Sequence, residues 1–281
     1  MSVVAALKAL LQGDAAIVMG IVNATPDSFS DGGQHAGNEA ALEHGLKLLA
    51  EGADILDIGG ESTRPGAEPV SIDEELDRVI PVIEGLRAHS DCVVSIDTTK
   101  PEVMLAAADA GASLINDVNA LRAEGALQVA SETGLAVCLM HMQGQPQTMQ
   151  EAPEYKNVVD EVAAFLSARV DICEHSGVAR ELLIADPGIG FGKSLEHNLA
   201  LLAAVPKLQE AVGCPLLIGA SRKSMIDAIL DRAVDERMPA SVGLAVQAVL
   251  NGAKIVRVHD VQATVDAVRI VERVCRVHHV N

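Results

Sequence analysis

Residues 93–117 read VVSIDTTKPEVMLAAADAGASLIND, two short apolar runs with a helix-like stretch between them. The runs 93–97 and 114–117 are apolar until a carboxylate or an amide ends them. Continuous rather than alternating apolarity is typical of a parallel strand that is buried on both faces. Residues 99–102 (TKPE) fit a capping box with proline in the first helical turn. The segment therefore predicts two parallel strands joined by a helix.

The same alternation extends over the whole chain. Apolar runs whose ends carry Gly, Asn, Asp or His are each followed by helical periodicity, and residues 71–74 (SIDE) fit a second capping box. The runs are 16–23, 53–59, 93–97, 114–117, 136–141, 182–186, 216–220 and 254–259. Strand–helix units of about 35 residues predict an α/β fold, a single (β/α)8 TIM barrel with a parallel eight-stranded sheet. An open doubly wound sheet is the alternative.

The pattern predicts one domain over residues 1–281, with residues 1–14 as an N-terminal extension. Long loops are expected at about residues 25–38, 61–70 and 143–155, where neither periodicity is present. All three follow predicted strands, so on a barrel they would lie on the C-terminal face, where active sites are built. Long loops on one face are typical of lids over a site.

Composition excludes several classes of protein. The 281 residues include 21 Lys and Arg but 39 Asp and Glu, a formal charge of −18, whereas nucleic-acid binding needs clustered basic residues. No charge-free apolar run reaches the roughly 18 residues of a membrane span. The N-terminus lacks a basic leader, and the 5 cysteines form no CxxC pair. We therefore expect a cytoplasmic protein with reduced thiols and with no nucleic-acid or membrane partner.

Polar side chains stand where the predicted strands end. They are Asn23, Asp97, Asn116, Asp117, His141, Asp186, Arg257 and His259. In a barrel these ends converge on one mouth and form a ring of hydrogen-bonding groups. Any one of them could instead cap the following helix, but the whole set predicts a binding site.

The residue types indicate what the site binds. Asp97, Asn116 and Asp186 offer acceptors and one amide donor, which suit a flat heterocycle that carries N–H groups. Arg257 and His259 alternate along one strand and so point the same way, which favours an anion such as phosphate. The alternative for this pair is a charged strand end that faces solvent.

The second half of the chain contains one candidate phosphate-binding residue, and several known catalytic motifs are not found in the sequence. Lys223 follows the seventh strand, and barrels often bind phosphate after strands seven and eight. Residues 188–194 (GIGFGKS) are not a Walker motif, because Pro187 stands where that motif needs glycine. Ser-His-Asp order, HExxH and Cys/His clusters do not stand out, so neither triad hydrolysis nor a zinc site is predicted.

Eight motifs, in order along the chain, resemble dihydropteroate synthase. They are residues 19–33, 59–66, 95–100, 115–118, 139–144, 186–193, 221–224 and 257–260. The resemblance implies a (β/α)8 barrel and a transferase of folate biosynthesis. Its small-molecule substrates would be 6-hydroxymethyl-7,8-dihydropterin diphosphate and 4-aminobenzoate, and its products 7,8-dihydropteroate and diphosphate. It also implies a homodimer formed through the last helices, where residues 242–249 and 261–274 are apolar enough to allow an interface.

Residue roles follow from the same resemblance, position by position. The pterin pocket would contain Asp97, Asn116, Met140, Asp186 and Lys223. The diphosphate site would contain Asn23, Arg257 and His259, with Asn23 also a ligand of Mg²⁺. The surroundings of 4-aminobenzoate would be Thr63, Arg64, Pro65, Phe191, Lys223 and Ser224. The residues expected to be catalytic are Asp97, Lys223, Arg257 and His259.

The implied mechanism is a dissociative substitution. Diphosphate leaves first, a pterin-stabilised cation forms, and the arylamine attacks it, so no nucleophilic side chain is needed. Two alternatives share the barrel. A pterin-dependent methyltransferase would normally accompany cobalamin or thiol-substrate domains, and an inert pterin-binding paralogue would not need Asn23, Lys223, Arg257 and His259 together.

Overall fold

A computed structural model of the protein describes residues 3–25, 33–62, 68–144, 149 and 153–277. Its sheet has eight parallel strands. They are β1 (Ile17–Asn23), β2 (Ile55–Gly59), β3 (Val93–Asp97), β4 (Leu114–Asp117), β5 (Ala136–Met140), β6 (Leu183–Asp186), β7 (Leu217–Ile218) and β8 (Ile255–Val258). Each of these strands lies within one of the predicted apolar runs.

The sheet closes into a barrel. Its strand order is β6-β5-β4-β3-β2-β1-β8-β7, so β6 and β7 are at its two ends. A parallel bridge joins Ala185 to Leu216, and the Ala185 N–H donates to the Pro215 carbonyl at 3.0 Å. These contacts connect the two end strands. The predicted (β/α)8 barrel is confirmed, and the open sheet is excluded.

The first helix precedes the first strand, and the helices that follow the strands form the outer layer. In chain order, the helices are α1 (Val3–Gln12), α2 (Gly33–Ala50), α3 (Ile72–His89), α4 (Pro101–Asp109), α5 (Ala126–Thr133), α6 (Val158–His175), α7 (Leu195–Ala203), α8 (Val205–Val212), α9 (Ser224–Leu230), α10 (Met238–Leu250) and α11 (Val261–Val277). Within the described residues, no helix has both the length and the apolarity to cross a bilayer.

Two local expectations need correction. Helix α2 begins at Gly33, before the expected end of the first loop near residue 38. Gly33 and Gly37 weaken the helical pattern there, but the helix buries Ala41 and Leu48 against the barrel. The capping box expected at residues 99–102 is also wrong, because α4 starts with Pro101 after Lys100 and has no side-chain cap.

The N-terminal extension closes one end of the barrel. Helix α1 buries Leu7 and Leu11, which pack in one cluster with Ile17, Ile55 and Ile255 from the strands. This apolar cluster fills the end of the barrel where the strands begin.

A polar layer lies above this apolar floor. Side chains on a strand return to the same face every second residue. Thus Ile55 in the floor is followed by Asp57, Leu114 by Asn116, and Ile255 by Arg257. The barrel interior therefore changes from aliphatic to charged and polar towards the strand ends.

Candidate active site

Four side chains of the polar layer form one hydrogen-bond network. Arg257 donates through Nε to Asp57 Oδ2 at 2.5 Å and through Nη2 to Asp97 Oδ2 at 2.7 Å. Asn116 Nδ2 donates to the same Asp57 oxygen at 3.0 Å. Strands β2, β3, β4 and β8 each contribute one of these residues. Two carboxylates, a guanidinium and an amide thus meet at the barrel mouth.

Asp57 is a site residue that the sequence-based prediction missed. It lies inside the run 53–59, whereas the predicted site residues stand at strand ends. The available signal was a carboxylate within a strand expected to be buried on both faces, because such a charge needs a partner. Asp57 is fully buried, and within the described residues its Oδ1 atom has no hydrogen-bond partner.

Charge and burial shift the pKa values in this network. Burial raises the pKa of Asp97 to about 7; the Arg257 guanidinium opposes the shift, and the Asp57 and Glu75 carboxylates add to it. Burial alone would lower the pKa of Arg257, but the Asp57 and Asp97 carboxylates raise it above its ordinary value. Arg257 is therefore a permanent cation in a cluster of acids.

Asp186, Lys223 and Phe191 lie on the neighbouring side of the mouth. Asp186 ends β6, and its Oδ1 accepts from the Gly188 N–H at 2.7 Å. Burial raises its pKa, against that hydrogen bond and the charge of Lys223. The Lys223 ammonium lies 4.1 Å from the centroid of the Phe191 ring, a cation–π contact. Burial and then the charge of Arg257 lower the pKa of Lys223 to about 8.

Met140 forms the apolar part of the site. It ends β5, is buried, and belongs to one cluster with Val118, Met142 and Met149. Phe191 packs against that cluster. An apolar wall thus faces the acids and amides of the strand ends, as in a pocket for a flat ring.

His259 is a neutral donor at the end of β8. Burial, and then the charges of Arg257 and Arg222, lower its pKa to about 4. Ser221 Oγ accepts from the His259 backbone N–H at 3.2 Å and lies 3.0 Å from Nδ1. The hydroxyl can donate to Nδ1, an arrangement in which the ring proton lies on Nε2.

Arg222 shapes the loop that carries Ser221 and Lys223. Its φ of +56° is left-handed, a strained conformation for a residue with a side chain. The guanidinium donates to both carboxylate oxygens of Asp260, from Nε at 3.1 Å and from Nη2 at 2.6 Å. The Arg222 backbone N–H donates to Ser241 Oγ at 2.9 Å. These contacts hold the strained Arg222 in place between Ser221 and Lys223, the two residues of the loop that face the site.

Not every predicted strand-end residue joins the site. The Asp117 carboxylate accepts from the backbone N–H groups of Asn119 and Leu121, both at 2.7 Å, so it stabilises a turn. His141 Nδ1 lies 3.1 Å from the Lys193 ammonium, away from the network. Asn23 ends β1 and Ser224 begins α9, where it is exposed. Thr63, Arg64 and Pro65 lie outside the described residues.

A separate groove lies near the opposite end of the barrel. It has a volume of about 1070 Å³ and is bordered by Leu11, Lys254 and Glu272, among others. None of the predicted site residues that the structure describes lines it. The hydrogen-bond network of Asp57, Asp97, Asn116 and Arg257 thus lies apart from this groove.

Known proteins match both the sequence and the fold. The family model "Pterin binding enzyme" matches residues 19–259. The dihydropteroate synthase of Escherichia coli (strain K12) is 52% identical over 255 residues, 91% of this chain and 90% of the relative. The chain belongs to the dihydropteroate synthase family.

Solved structures agree with this membership. A Xanthomonas albilineans dihydropteroate synthase with 4-aminobenzoic acid is 52% identical, with a TM-score of 0.88 over 93% of each chain. A Burkholderia cenocepacia dihydropteroate synthase complexed with 7,8-dihydropteroate is 47% identical, with a TM-score of 0.87 over 95% of this chain and 94% of the other. The resemblance found in the motifs therefore extends over almost the whole fold.

Proposed function

We propose that the polar layer at the barrel mouth is where this chain carries out the reaction of its family. The chain is a transferase of folate biosynthesis that condenses 6-hydroxymethyl-7,8-dihydropterin diphosphate with 4-aminobenzoate and releases diphosphate. The observation that carries the placement is the network of Asp57, Asp97, Asn116 and Arg257, beside Asp186 and Lys223. We also propose that residues 1–281 form a single pterin-binding domain.

The pterin is proposed to lie between the acids and the apolar wall. Asp186 has one oxygen on the Gly188 N–H. Its remaining acceptor capacity suits the 2-amino group and the ring N–H of a pterin, which a carboxylate accepts as a pair. Asp97 and Asn116 complete the polar edge, Met140 packs against the ring, and Lys223 binds a ring acceptor.

The 4-aminobenzoate is proposed to bind nearer the solvent. Phe191 gives an aromatic face, Lys223 lies against that face, and Ser224 stands at the start of α9. The Ser224 hydroxyl is a donor that suits a carboxylate. Thr63, Arg64 and Pro65 are proposed to cover the same ligand.

The leaving group is proposed to bind Arg257, His259 and Asn23. Arg257 and the His259 Nε2–H are donors for an oxygen anion that gains charge as the C–O bond breaks. The electron pair leaves with diphosphate, the pterin stabilises the cation at the exocyclic carbon, and the arylamine lone pair forms the new C–N bond. The surplus ammonium proton then goes to solvent. The protein thus acts by binding and orienting the two substrates and by stabilising the negative charge of the leaving group.

Mg²⁺ fits a site that is completed by the substrate. Among the described residues, no group of three or more His, Cys, Asp or Glu could hold a metal ion. Mg²⁺ commonly binds through one or two protein oxygens together with substrate phosphates and water. We propose that Asn23 supplies such an oxygen. When bound, the ion would neutralise charge on the diphosphate.

Assembly and location are further proposals. Leu250 on α10 and Ile270 and Val274 on α11 are more than half exposed, at 56%, 67% and 56%. These two helices contact each other, and both carry exposed apolar side chains. We propose that these side chains form the interface of a homodimer and that the protein works in the cytoplasm. Light scattering that gives the mass of a monomer at micromolar concentration would contradict the dimer.

The test is diphosphate release from the pterin substrate with Mg²⁺, with and without 4-aminobenzoate, and with mass detection of the product. Dihydropteroate formed only with both substrates supports the proposal. Pterin binding without diphosphate release would favour the inert paralogue, and methyl transfer from a methylated pterin would favour the methyltransferase. Diphosphate released without 4-aminobenzoate, followed by trapping of the pterin by water, supports the dissociative order.

A further inference from the structure

Lys193 is a buried lysine that the proposed reaction does not use. It follows the turn after β6 and is 3% exposed. Its ammonium nitrogen lies 2.8 Å from the Phe191 carbonyl oxygen, 3.3 Å from the His141 carbonyl oxygen and 3.1 Å from His141 Nδ1. An ammonium has three donors and no acceptor, so these three acceptors match it. A neutral amine would leave one of them without a donor.

This arrangement is costly for the fold. Burial lowers the pKa of Lys193 from 10.5 to about 7, opposed by the charge of Asp186 and aided by that of Lys223. Burial likewise lowers the pKa of His141, to about 3, so its ring is neutral and accepts at Nδ1. Among the described residues, the hydrogen-bond partners of Lys193 are all uncharged. A buried cation without a bonded carboxylate reduces stability, which points to a task at that position.

The surrounding turn, residues 186–192, fits closely against the end of β5. A Cβ added at Gly188 would lie 1.9 Å from the His141 carbonyl oxygen and 3.4 Å from the Lys193 ammonium. A Cβ added at Gly192 would lie 2.4 Å from the Gln143 carbonyl oxygen. The Phe191 N–H also donates to the Gly188 carbonyl at 3.1 Å. Lys193 thus connects the turn, through the Phe191 carbonyl, to the residue that follows β5, through the His141 carbonyl.

We propose that Lys193 is a positioning residue for both substrates. Its ammonium binds the Phe191 and His141 carbonyls and so fixes the turn that carries Asp186 at one end and Phe191 near the other. Asp186 faces the pterin and Phe191 faces the 4-aminobenzoate. The inference deepens the proposed function and rests on it.

The first test compares Lys193→Met with Lys207→Met. Methionine keeps the length of the side chain and removes the donors, while Lys207 is an exposed lysine paired with Asp160. For Lys193→Met we expect the Kd for the pterin diphosphate and the KM for the arylamine substrate to rise on the order of tenfold, with kcat changed less. Lys207→Met should keep the wild-type constants. Wild-type constants in folded Lys193→Met would overturn the proposal.

A double-mutant cycle separates positioning from general support of the fold. If Lys193 acts on 4-aminobenzoate through Phe191, then Lys193→Met should not raise the KM for that substrate further in a Phe191→Ala background. Its effect on pterin affinity should persist there, because that effect passes through Asp186. Additive effects of the two substitutions on the KM for the arylamine would contradict the proposed route.

A second variant covers the case in which Lys193→Met does not fold. His141→Leu removes the Nδ1 acceptor and leaves both carbonyls, so it should raise the same two constants by a smaller factor; unchanged constants would overturn the inference. Failure of the proposed function is distinguishable, because the wild-type protein itself would then form no dihydropteroate.

Discussion

At the scale of single residues, Arg257 has two tasks that compete. In the structure it pairs with Asp57 and Asp97. The proposed reaction also requires it to face the leaving diphosphate. Its side chain is still 22% exposed, so one edge of the guanidinium can reach an anion while Asp57 holds the other edge. Asp57, which is fully buried, is thus the anchor of the pair.

Removing Arg257 therefore tests catalysis and stability together. We expect Arg257→Ala to lower kcat/KM on the order of 10² or more, because the leaving group loses its permanent cation. We also expect a lower Tm, because Asp57 loses its buried partner. Steady-state kinetics and thermal unfolding would measure the two effects, with the exposed Arg232→Ala as control. Unchanged kcat/KM in the folded variant would refute the role.

Gly188 allows a similar test of the turn after β6. Gly188 and Gly134 are both left-handed, with φ of +69° and +63°. A Cβ at Gly134 meets nothing within 4 Å, whereas at Gly188 it would overlap the His141 carbonyl. Gly134→Ala should lower the free energy of unfolding by about 1 kcal/mol, because alanine disfavours the left-handed backbone conformation. Gly188→Ala should cost clearly more and should also weaken pterin binding. Equal losses in chemical denaturation would show that the turn is not closely packed.

At the scale of elements, the prediction succeeded where the information is local. The apolar runs gave all eight strands, because burial on both faces requires continuous apolarity along each strand. The same pattern placed Asp97, Asn116, Asp186, Arg257 and His259 at or beside the strand ends, where the structure also has them. Their roles in the reaction stay predictions. Contacts between distant residues were not predictable: Lys193 and His141 are 52 residues apart, and only the closed barrel brings them together. The left-handed Arg222 depends likewise on Asp260 and Ser241, from other segments.

The position of helix α1 was likewise not predictable from the sequence, because it depends on contacts with distant residues. Its sequence is mildly apolar, but its position under the barrel depends on closure of the sheet. Leu7 is fully buried there, at the end opposite to the site. Leu7→Ala should lower the free energy of unfolding by about 2–4 kcal/mol, through lost burial and a residual cavity. Substrate KM values should not change. Urea unfolding with Leu105→Ala, which is exposed on α4, as control would measure this; equal midpoints would refute the role of α1.

At the scale of the whole molecule, buried groups couple stability to pH in opposite directions. The pKa of Asp97 is raised to about 7, so its contribution is largest at low pH and is lost as pH rises towards 7. The pKa values of His141 and His259 are lowered, to about 3 and about 4. Their contributions are complete above the unfolded pKa of about 6.5 and are lost as pH falls. The dependence of stability on pH is the sum of all these contributions. The contribution of one group is therefore measured by comparing the wild-type protein with a variant that lacks that group.

His141 is suited to that test because it is 7% exposed and its Nδ1 faces the Lys193 ammonium. Burial disfavours the protonated ring, and protonation would also place a second positive group beside that ammonium, so the folded state resists it, whereas the unfolded chain does not. Below pH 6.5 the wild-type protein should lose stability relative to His141→Gln, with the difference approaching about 1.4 kcal/mol per pH unit. Urea unfolding of both proteins at pH 7.5, 6.0 and 5.0 would measure the difference. Parallel curves would mean that His141 protonates as readily in the fold as in the unfolded chain, and that neither burial nor Lys193 holds its ring neutral.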